Sequence, residues 1–333
     1  MSEAPVLEIR DLHVTFTAHG HEIPAVRGVD LTIERGQTLA LLGESGSGKS
    51  VTAKALMGLL DQPNVRVRSS MARLGGRDLL SLSAEERRDL RGSAMTLVFQ
   101  DALSALNPVL SIGDQVGELF RVHRGMSRKE ARARSIEMLD LVGIPAAAKR
   151  VNDYPHQFSG GMRQRILVAM AVALEPDLII ADEPTTALDV TVQAQILELI
   201  DRLRRELGTA VLLITHDLGV AAEVSDRVAV MYAGRIVESG EVQELYDRPA
   251  HPYTAALLAA IPDLERPSST LRAIPGAPPS PASLPPGCSF APRCDRATEV
   301  CSEARPELML LDTGTGRRAA CHYSEEMLHG ALA

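Results

Sequence analysis

Residues 43–50, with the sequence GESGSGKS, combine three spaced glycines with a lysine and a serine, a set that can bind phosphate groups. Glycines let successive backbone N–H groups turn toward an anion, while Lys49 can reach the β- and γ-phosphates and the Ser50 hydroxyl can bind Mg²⁺. Residues 38–42 have the pattern of a buried strand, and residues 51–60 that of a helix whose N-terminus adds about half a positive charge. Strand, glycine loop and helix predict a nucleoside triphosphate site, against the weaker alternative of a glycine-rich turn with a surface lysine. The loop residues expected at the nucleotide are Gly43, Ser45, Gly46, Ser47, Gly48, Lys49, Ser50 and Val51.

Two carboxylates follow a second buried-strand pattern, the apolar run at 178–181. We expect Asp182 to hold the hydration shell of Mg²⁺ and Glu183 to polarise a water molecule in line with the γ-phosphate. An acidic pair that simply closes a surface strand is the alternative. A further strand pattern at 210–214 ends just before His216, which can donate a hydrogen bond to the γ-phosphate.

Two other side chains are candidates for contact with the nucleotide. Gln100 follows the apolar run at 94–99, and a glutamine at the carboxyl end of such a strand faces the ligand crevice of an α/β sheet. It can contact Mg²⁺ or the attacking water. Phe16 lies in an alternating strand pattern at 6–17, where it either stacks on an adenine ring or packs in the core.

A second candidate anion site lies at Ser159, Gly160 and Gly161, just before the helical pattern at 162–173. Ser159 is a typical N-cap, and the glycine N–H groups at a helix N-terminus can bind an anion. Considered without the other motifs, the same three residues are more typical of an ordinary capped helix that binds no anion.

The elements around these residues indicate an α/β fold. Alternation at 6–17 and 29–33 predicts two half-buried antiparallel strands joined by a turn at 18–21, with more strand and loop at 66–84. Between Gln100 and the strand at 178–181 the pattern is helical, with main segments at 113–120, 128–142 and 162–173. This block is expected to be an inserted helical subdomain.

Composition limits the classes of protein that remain. With 333 residues, 45% hydrophobic and 23% charged, the chain resembles a soluble protein with one large domain plus an appendage, or two domains. A net charge of −8 argues against a partner bound through nucleic-acid phosphates. The N-terminus shows no export signal, and the longest uncharged apolar stretch, residues 166–174, is too short to span a bilayer. We expect a cytoplasmic chain that meets a membrane only through a partner.

All of the cysteines lie near the C-terminus, at Cys288, Cys294, Cys301 and Cys321. Disulfides are not expected in a reducing cytoplasm, so the clustering indicates a metal site. The spacings are wider than those usual for structural zinc, and four thiolates also fit an iron–sulfur cluster. Zn²⁺ and free thiols remain alternatives, and His322 beside Cys321 is either a substitute ligand or a solvated side chain.

These motifs, in this order, resemble those of the ABC ATPases over residues 1 to about 250. Residues 43–50 resemble a Walker A motif, Gln100 a Q-loop, 159–161 a signature, 178–183 a Walker B motif with catalytic glutamate, 187–189 a D-loop and His216 an H-loop. Two departures are Val51 for a common threonine and Met162 for a common glutamine. The resemblance implies a P-loop NTPase fold, with a RecA-like core, an antiparallel β subdomain and a helical subdomain at about 102–173. It also implies a head-to-tail dimer in which Ser159, Gly160, Gly161 and Asp189 serve the nucleotide held by the partner, and in which Ser50, Gln100 and Asp182 hold Mg²⁺.

The chain also resembles one branch of that family, the ATP-binding subunits of oligopeptide and dipeptide importers and their nickel-importing relatives. The segments that carry the resemblance are 98–108, 154–158 and His251-Pro252-Tyr253. It implies an ATPase at the cytoplasmic face of the membrane, coupled to import of peptides, with two integral permease subunits, a second and different ATPase subunit, and an external solute-binding protein.

The same resemblance implies that residues 251–333 form an extension with a small four-cysteine domain, and that its cysteines carry a [4Fe–4S] cluster. An importer of nickel or another small solute is the first alternative. A soluble ABC ATPase acting on DNA or ribosomes is the second, though such proteins usually carry two nucleotide domains or long coiled-coil insertions. A regulatory subunit without turnover would be expected to lack Glu183, His216 or the signature, and all three are present. The sequence does not specify the solute, whether the dimer pairs like or unlike chains, or whether both nucleotide sites are active.

Overall fold

The protein is described by a computed structural model that covers residues 4–99, 102–186, 188–260 and 273–330. The chain divides into two compact units. The first combines Met1–Leu7, Ile33–Gln37 and Arg73–Leu213, and the second combines Glu8–Thr32, Thr38–Ala72 and Ile214–Ala333.

The secondary structure alternates between strands and helices through most of the chain. The strands are β1 Leu7–Ala18, β2 His21–Ile33, β3 Thr38–Leu42, β4 Val65–Arg68, β5 Met71–Leu74, β6 Arg77–Asp78, β7 Met95–Val98, β8 Leu178–Asp182, β9 Ala210–Thr215, β10 Arg227–Tyr232, β11 Arg235–Glu241, β12 Met309–Leu310 and β13 Arg318–Ala319. The α-helices are α1 Lys49–Leu56, α2 Ala84–Ser93, α3 Ala102–Ala105, α4 Ile112–Arg124, α5 Arg128–Leu141, α6 Ala147–Arg150, α7 Gly160–Val172, α8 Val190–Leu207, α9 Leu218–Val224, α10 Val242–Asp247, α11 Pro252–Ala259, α12 Glu299–Glu303 and α13 Ser324–His329. Short 3₁₀ turns lie at Pro155–Gln157 and Ala291–Arg293.

In the first unit, β7 and β8 pair in parallel, with Met95 opposite Leu178. Residues 210–213 of β9 continue the order β9-β8-β7. These strands are almost entirely buried, which explains why they appear in the sequence as continuous apolar runs rather than as alternating patterns. The predicted strands at 94–99, 178–181 and 210–214 are confirmed.

Helices α3 to α7 fill the chain between β7 and β8, which confirms the predicted helical insertion. Serine caps start its long helices: Ser111 caps α4, and Ser127 caps α5 in a reciprocal box with Glu130. Helix α4 ends at Gly125, which has a positive φ of 63° that favours glycine. The predicted segments at 113–120, 128–142 and 162–173 therefore correspond to α4, α5 and α7.

In the second unit, β3 and β10 pair in parallel, within the order β12-β13-β11-β10-β3. Helix α1 follows β3 through the glycine loop, as predicted, but it begins at Lys49 and ends at Leu56 rather than covering residues 51–60. Gly58 has a φ of 62°, and this left-handed conformation cannot continue a helix.

An antiparallel layer in the second unit contains β1, which pairs with β4 and places Phe16 opposite Val65. The strand after β1 is longer than the sequence predicted, since β2 runs from His21 instead of Val29. Its first half contains Pro24 and Gly28, which disturb the alternation of apolar and polar residues.

The C-terminal region of the second unit packs into the core around β3 and β10. The rings of Tyr232, Tyr253 and Phe290 lie with centroids 4.5 to 5.4 Å apart and are almost fully buried. A buried ion pair, 2.6 Å between Arg317 and Glu238, ties a late segment to β11. The domain boundary predicted at residue 250 stays a prediction, and the described residues on its two sides share this core.

Among the described residues, no helix combines the length and the apolar character that a bilayer crossing requires.

Candidate nucleotide site

The glycine loop between β3 and α1 closes on the side chain of Lys49. Its Nζ atom donates to the carbonyl oxygens of Gly43 at 2.7 Å and Glu44 at 3.0 Å, and the residue is only 5% exposed. The loop is therefore already wrapped around a cationic group. The backbone reaches this shape through positive φ angles at Gly43, Gly46 and Gly48 of 150°, 78° and 112°.

Two of these glycines are also required by close packing. A Cβ atom at Gly48 would lie 2.7 Å from the carbonyl oxygen of Ala25, and one at Gly43 would lie 2.2 Å from the carbonyl oxygen of Met231. A Cβ atom at Gly46 would meet nothing within 4 Å.

This difference predicts unequal effects of alanine along the loop. Gly46→Ala is expected to lower the free energy of unfolding by about 1 kcal/mol, the cost of its φ alone. Gly48→Ala adds a backbone clash to the same kind of strain and is expected to cost at least about 3 kcal/mol and to weaken ATP binding. Urea unfolding and nucleotide titration of both variants measure this, and equal losses of stability would contradict the packing argument.

The serines of the loop differ in burial. Ser47 Oγ is buried and has no hydrogen-bond partner among the described residues, so the donor set of the loop fits a phosphate oxygen. Ser50 lies in the first turn of α1 and is partly exposed. A partly exposed hydroxyl at this position suits the predicted role as a ligand of Mg²⁺.

The two carboxylates predicted to act on Mg²⁺ and on the attacking water lie at the end of β8. Asp182 is the last residue of the strand, and Glu183 follows it with a φ of 48°, a left-handed conformation that is uncommon outside glycine. The hydroxyl of Thr186 donates to Glu183 Oε2 at 2.9 Å. Such backbone strain is typical of functional sites, and the hydrogen bond from Thr186 orients the Glu183 carboxylate.

The second predicted anion site forms the start of α7. Ser159 is confirmed as the N-cap, because its Oγ accepts from the backbone N–H of Met162 at 3.3 Å. Ser159 and Gly160 are exposed. At Gly161 a Cβ atom would lie 2.6 Å from Val192 Cγ1, so close packing of α7 on α8 requires this glycine.

Asp189 has a structural role that the sequence analysis missed. Its carboxylate accepts from the backbone N–H of Val192 at 2.9 Å and caps α8, which begins at Val190. An aspartate just ahead of an amphipathic pattern is the signal that could have found this cap.

The remaining predicted residues belong to separate elements of the fold. His216 is exposed just after β9, and Phe16 is only partly buried on β1, so it is not a core aromatic. Gln100 and Ala187 lie outside the described residues. The roles assigned to all these side chains stay predictions.

The four cysteines of the C-terminal region line one cavity of about 20 Å³, with apolar walls from Phe290, Pro306 and Met327; the four are Cys288, Cys294, Cys301 and Cys321. None is in a disulfide. Burial, together with a smaller effect of the nearby thiols, raises the pKa of Cys321 to about 11. Within the described part of the chain, no three His, Cys, Asp or Glu side chains are arranged to hold a single metal ion.

Comparison with known proteins identifies the family. The model described as "ABC transporter" matches residues 26–186, and "Oligopeptide/dipeptide transporter, C-terminal region" matches residues 237–301. The dipeptide transport ATP-binding protein DppD of Bacillus subtilis is 50% identical over 301 residues, which cover 90% of each chain. The chain belongs to the ABC transporter family, among its peptide-import ATP-binding proteins. A putative peptide import ATP-binding protein of Brucella abortus is 51% identical to this ABC protein over 321 residues, 96% of each chain.

Solved structures agree with the fold of this ABC protein. The dimeric MJ0796, a bacterial ABC transporter cassette, aligns with a TM-score of 0.63 and 29% identity over 71% of this chain and 98% of its own. The cbiO1 protein of Clostridium perfringens, part of the ABC transporter complex cbiONQ, aligns with a TM-score of 0.60 and 26% identity over 74% and 92%. The predicted family and fold class are therefore confirmed.

Proposed function

We propose that this chain is the ATPase subunit that powers import of oligopeptides or dipeptides through an ABC transporter. The observation that carries the proposal is the extent of the similarity to the dipeptide transport relative, which covers 90% of this chain and includes both the phosphate loop and the C-terminal region. A C-terminal match of this kind supports a peptide importer over the soluble ABC proteins that act on DNA or ribosomes.

The proposed chemistry is hydrolysis of ATP with mainly electrostatic catalysis. Lys49 binds the β- and γ-phosphates, Ser50 and Asp182 hold Mg²⁺, and Gln100 completes its ligands or orients the water. Glu183 orients and polarises the attacking water. The hydrogen bond from Thr186 holds the Glu183 carboxylate in position for this role. His216 donates to the γ-phosphate.

We further propose that a second ATPase subunit completes the nucleotide-binding site. The exposed N-terminus of α7, at Ser159 and Gly160, has free space for the phosphates of a partner's nucleotide. Asp189, which caps α8, is proposed to serve the same nucleotide, and Phe16 is proposed to stack on the adenine. The partner is proposed to be a related but different chain, as the family resemblance implies.

The permease subunits are proposed to dock on the helical insertion, from the cytoplasmic face. A cavity of about 420 Å³ opens between α3, α4 and α7, and its rim includes Leu110 and Val122. Val109 and Val122 are 75% and 69% exposed, a degree of exposure that is costly for valine in the absence of a partner. An apolar helix from a membrane subunit fits such a groove.

Placing a charge in this groove tests the docking. Val122→Asp is expected to weaken co-purification with the permeases by about tenfold or more, because the carboxylate would be buried unpaired at the interface, while ATP binding is kept. Leu80→Asp, an exposed apolar site outside the groove, is the control. Equal recovery of the permeases with both variants would count against the assigned surface.

We also propose that the four C-terminal thiols hold a [4Fe–4S] cluster. The support is the type of donor, because four cysteines line one cavity with apolar walls and cysteine thiolates are the usual ligands of such clusters. In the described residues these side chains are not already arranged around one metal ion. To bind the cluster, the four sulfur atoms must move apart, because a [4Fe–4S] cluster is larger than the cavity that they now line. Four thiolates also suit Zn²⁺, which is the outcome that competes in the test.

Anaerobic purification with metal analysis distinguishes these ligands. The expected result is a brown protein with absorbance near about 400 nm and about four irons per chain, lost in Cys301→Ser and kept in the neighbouring Ser302→Ala. A colourless protein with one zinc per chain would refute the cluster.

A further inference from the structure

Glu44, the second residue of the phosphate loop, has each of its polar groups occupied. Its backbone N–H donates to the Tyr253 hydroxyl at 2.9 Å, and its carbonyl oxygen accepts from Lys49 Nζ at 3.0 Å. Its carboxylate forms a two-pronged ion pair with Arg293, with N–O distances of 2.6 and 3.0 Å. Two of these three partners come from the C-terminal region, far along the chain from the loop.

Arg293 is held in place independently of this ion pair. Its side chain is 4% exposed, its Nε donates to the carbonyl oxygen of Pro275 at 2.8 Å, and one terminal nitrogen donates to the Tyr232 hydroxyl at 3.2 Å. A buried guanidinium with hydrogen bonds to Pro275 and Tyr232 keeps its position at little further entropic cost. The charge opposite Glu44 is therefore fixed before any ligand arrives.

Glu44 carries a negative charge, as does the proposed ligand, ATP. A carboxylate in a loop that receives a triphosphate repels it, and the Glu44 side chain is 27% exposed, so solvent screens this repulsion only in part. The backbone of Glu44 also bears one of the two carbonyls that orient Lys49. Any change in the position of Glu44 is thus transmitted to the lysine that binds the phosphates.

We propose that Arg293 and Tyr253 are positioning residues for the nucleotide, contributed to the phosphate loop by the C-terminal region. Arg293 cancels the charge of Glu44, and Tyr253 holds its backbone N–H, so that the loop presents Lys49 to the triphosphate without a competing anion. The inference rests on the proposed binding of ATP at this loop. It gives the His251-Pro252-Tyr253 segment a function that the sequence pattern alone did not provide.

Titration of the full-length chain with ATP and with adenosine tests this role. Arg293→Met is expected to weaken ATP binding by about tenfold or more, with a smaller loss at high salt, because it exposes the phosphates to an uncompensated carboxylate. Adenosine, which lacks phosphates, is expected to bind as it does to the unmodified protein. The double variant Arg293→Met with Glu44→Gln is expected to recover most of the ATP affinity, and the exposed Arg318→Met is the control.

Each outcome decides the proposal. Unchanged ATP affinity in Arg293→Met, while the unmodified chain binds ATP, overturns the inference and leaves the proposed function standing. Equal weakening of ATP and adenosine, without recovery in the double variant, shows a purely structural role and also overturns it. If Arg293→Met does not fold, Glu44→Gln alone decides: ATP binding at least as tight as in the unmodified protein supports the inference, and weaker binding contradicts it.

Discussion

Replacing Glu183 with glutamine is expected to slow ATP turnover by about 10²- to 10⁴-fold, the range typical of a lost general base. Glutamine keeps the size of the side chain and an oxygen that can accept from Thr186, so ATP binding is expected to remain nearly unchanged. Phosphate release at saturating ATP and Mg²⁺, together with nucleotide titration, separates the two quantities.

A matched control exists for this variant. Glu175 has a φ of 56°, close to the 48° of Glu183, and it lies exposed on the chain just before β8. Glu175→Gln is expected to leave turnover unchanged. If Glu183→Gln released phosphate as fast as this control, the catalytic role assigned to Glu183 would be wrong.

Lys49→Ala is expected to weaken binding of ATP by about 100-fold or more. The variant removes the cation that meets the phosphates, and charge-assisted hydrogen bonds of this kind each contribute about 1.5–3 kcal/mol. It also removes the hydrogen bonds that Nζ donates to the carbonyl oxygens of Gly43 and Glu44, so a loss of stability accompanies the loss of affinity.

Lys54→Ala is the control for the losses of ATP affinity and of stability that are expected in Lys49→Ala. Lys54 is exposed in the last turn of the same helix and should change neither property by much. Thermal unfolding of both variants shows how much stability is lost, and nucleotide titration well below the unfolding temperature then reports affinity alone. Normal ATP affinity in Lys49→Ala would exclude the loop as the phosphate site.

Most of the local structure of the nucleotide loop could be predicted from the sequence, because it is determined by residues that lie close together in the chain. The glycines of 43–50 specify a turn, the apolar run of β3 specifies a buried strand, and Ser159 specifies a helix start. Each of these signals involves residues close in the chain. Where such signals were disturbed, as by Pro24 and Gly28 in β2, the predicted element was too short.

Contacts between distant residues could not be predicted in this way. Arg293 and Glu44 are separated by 249 positions, and neither residue belongs to a spacing that points to the other. The burial of Arg293 depends on the packing of Tyr232 and Phe290, which is a property of the folded core. The cysteines are an intermediate case, because their clustering predicted the common cavity that they line, whereas their spacing did not specify a ligand for it.

If this chain hydrolyses ATP to drive peptide import, uptake of peptide by the reconstituted transporter depends on its catalytic glutamate. Vesicles containing the permeases, the solute-binding protein and both ATPase subunits would be loaded with ATP and Mg²⁺ and given a labelled peptide. We expect ATP-dependent accumulation of the peptide that is lost when this subunit carries Glu183→Gln and kept when it carries Glu175→Gln. Accumulation at the same rate with Glu183→Gln would contradict the proposed function.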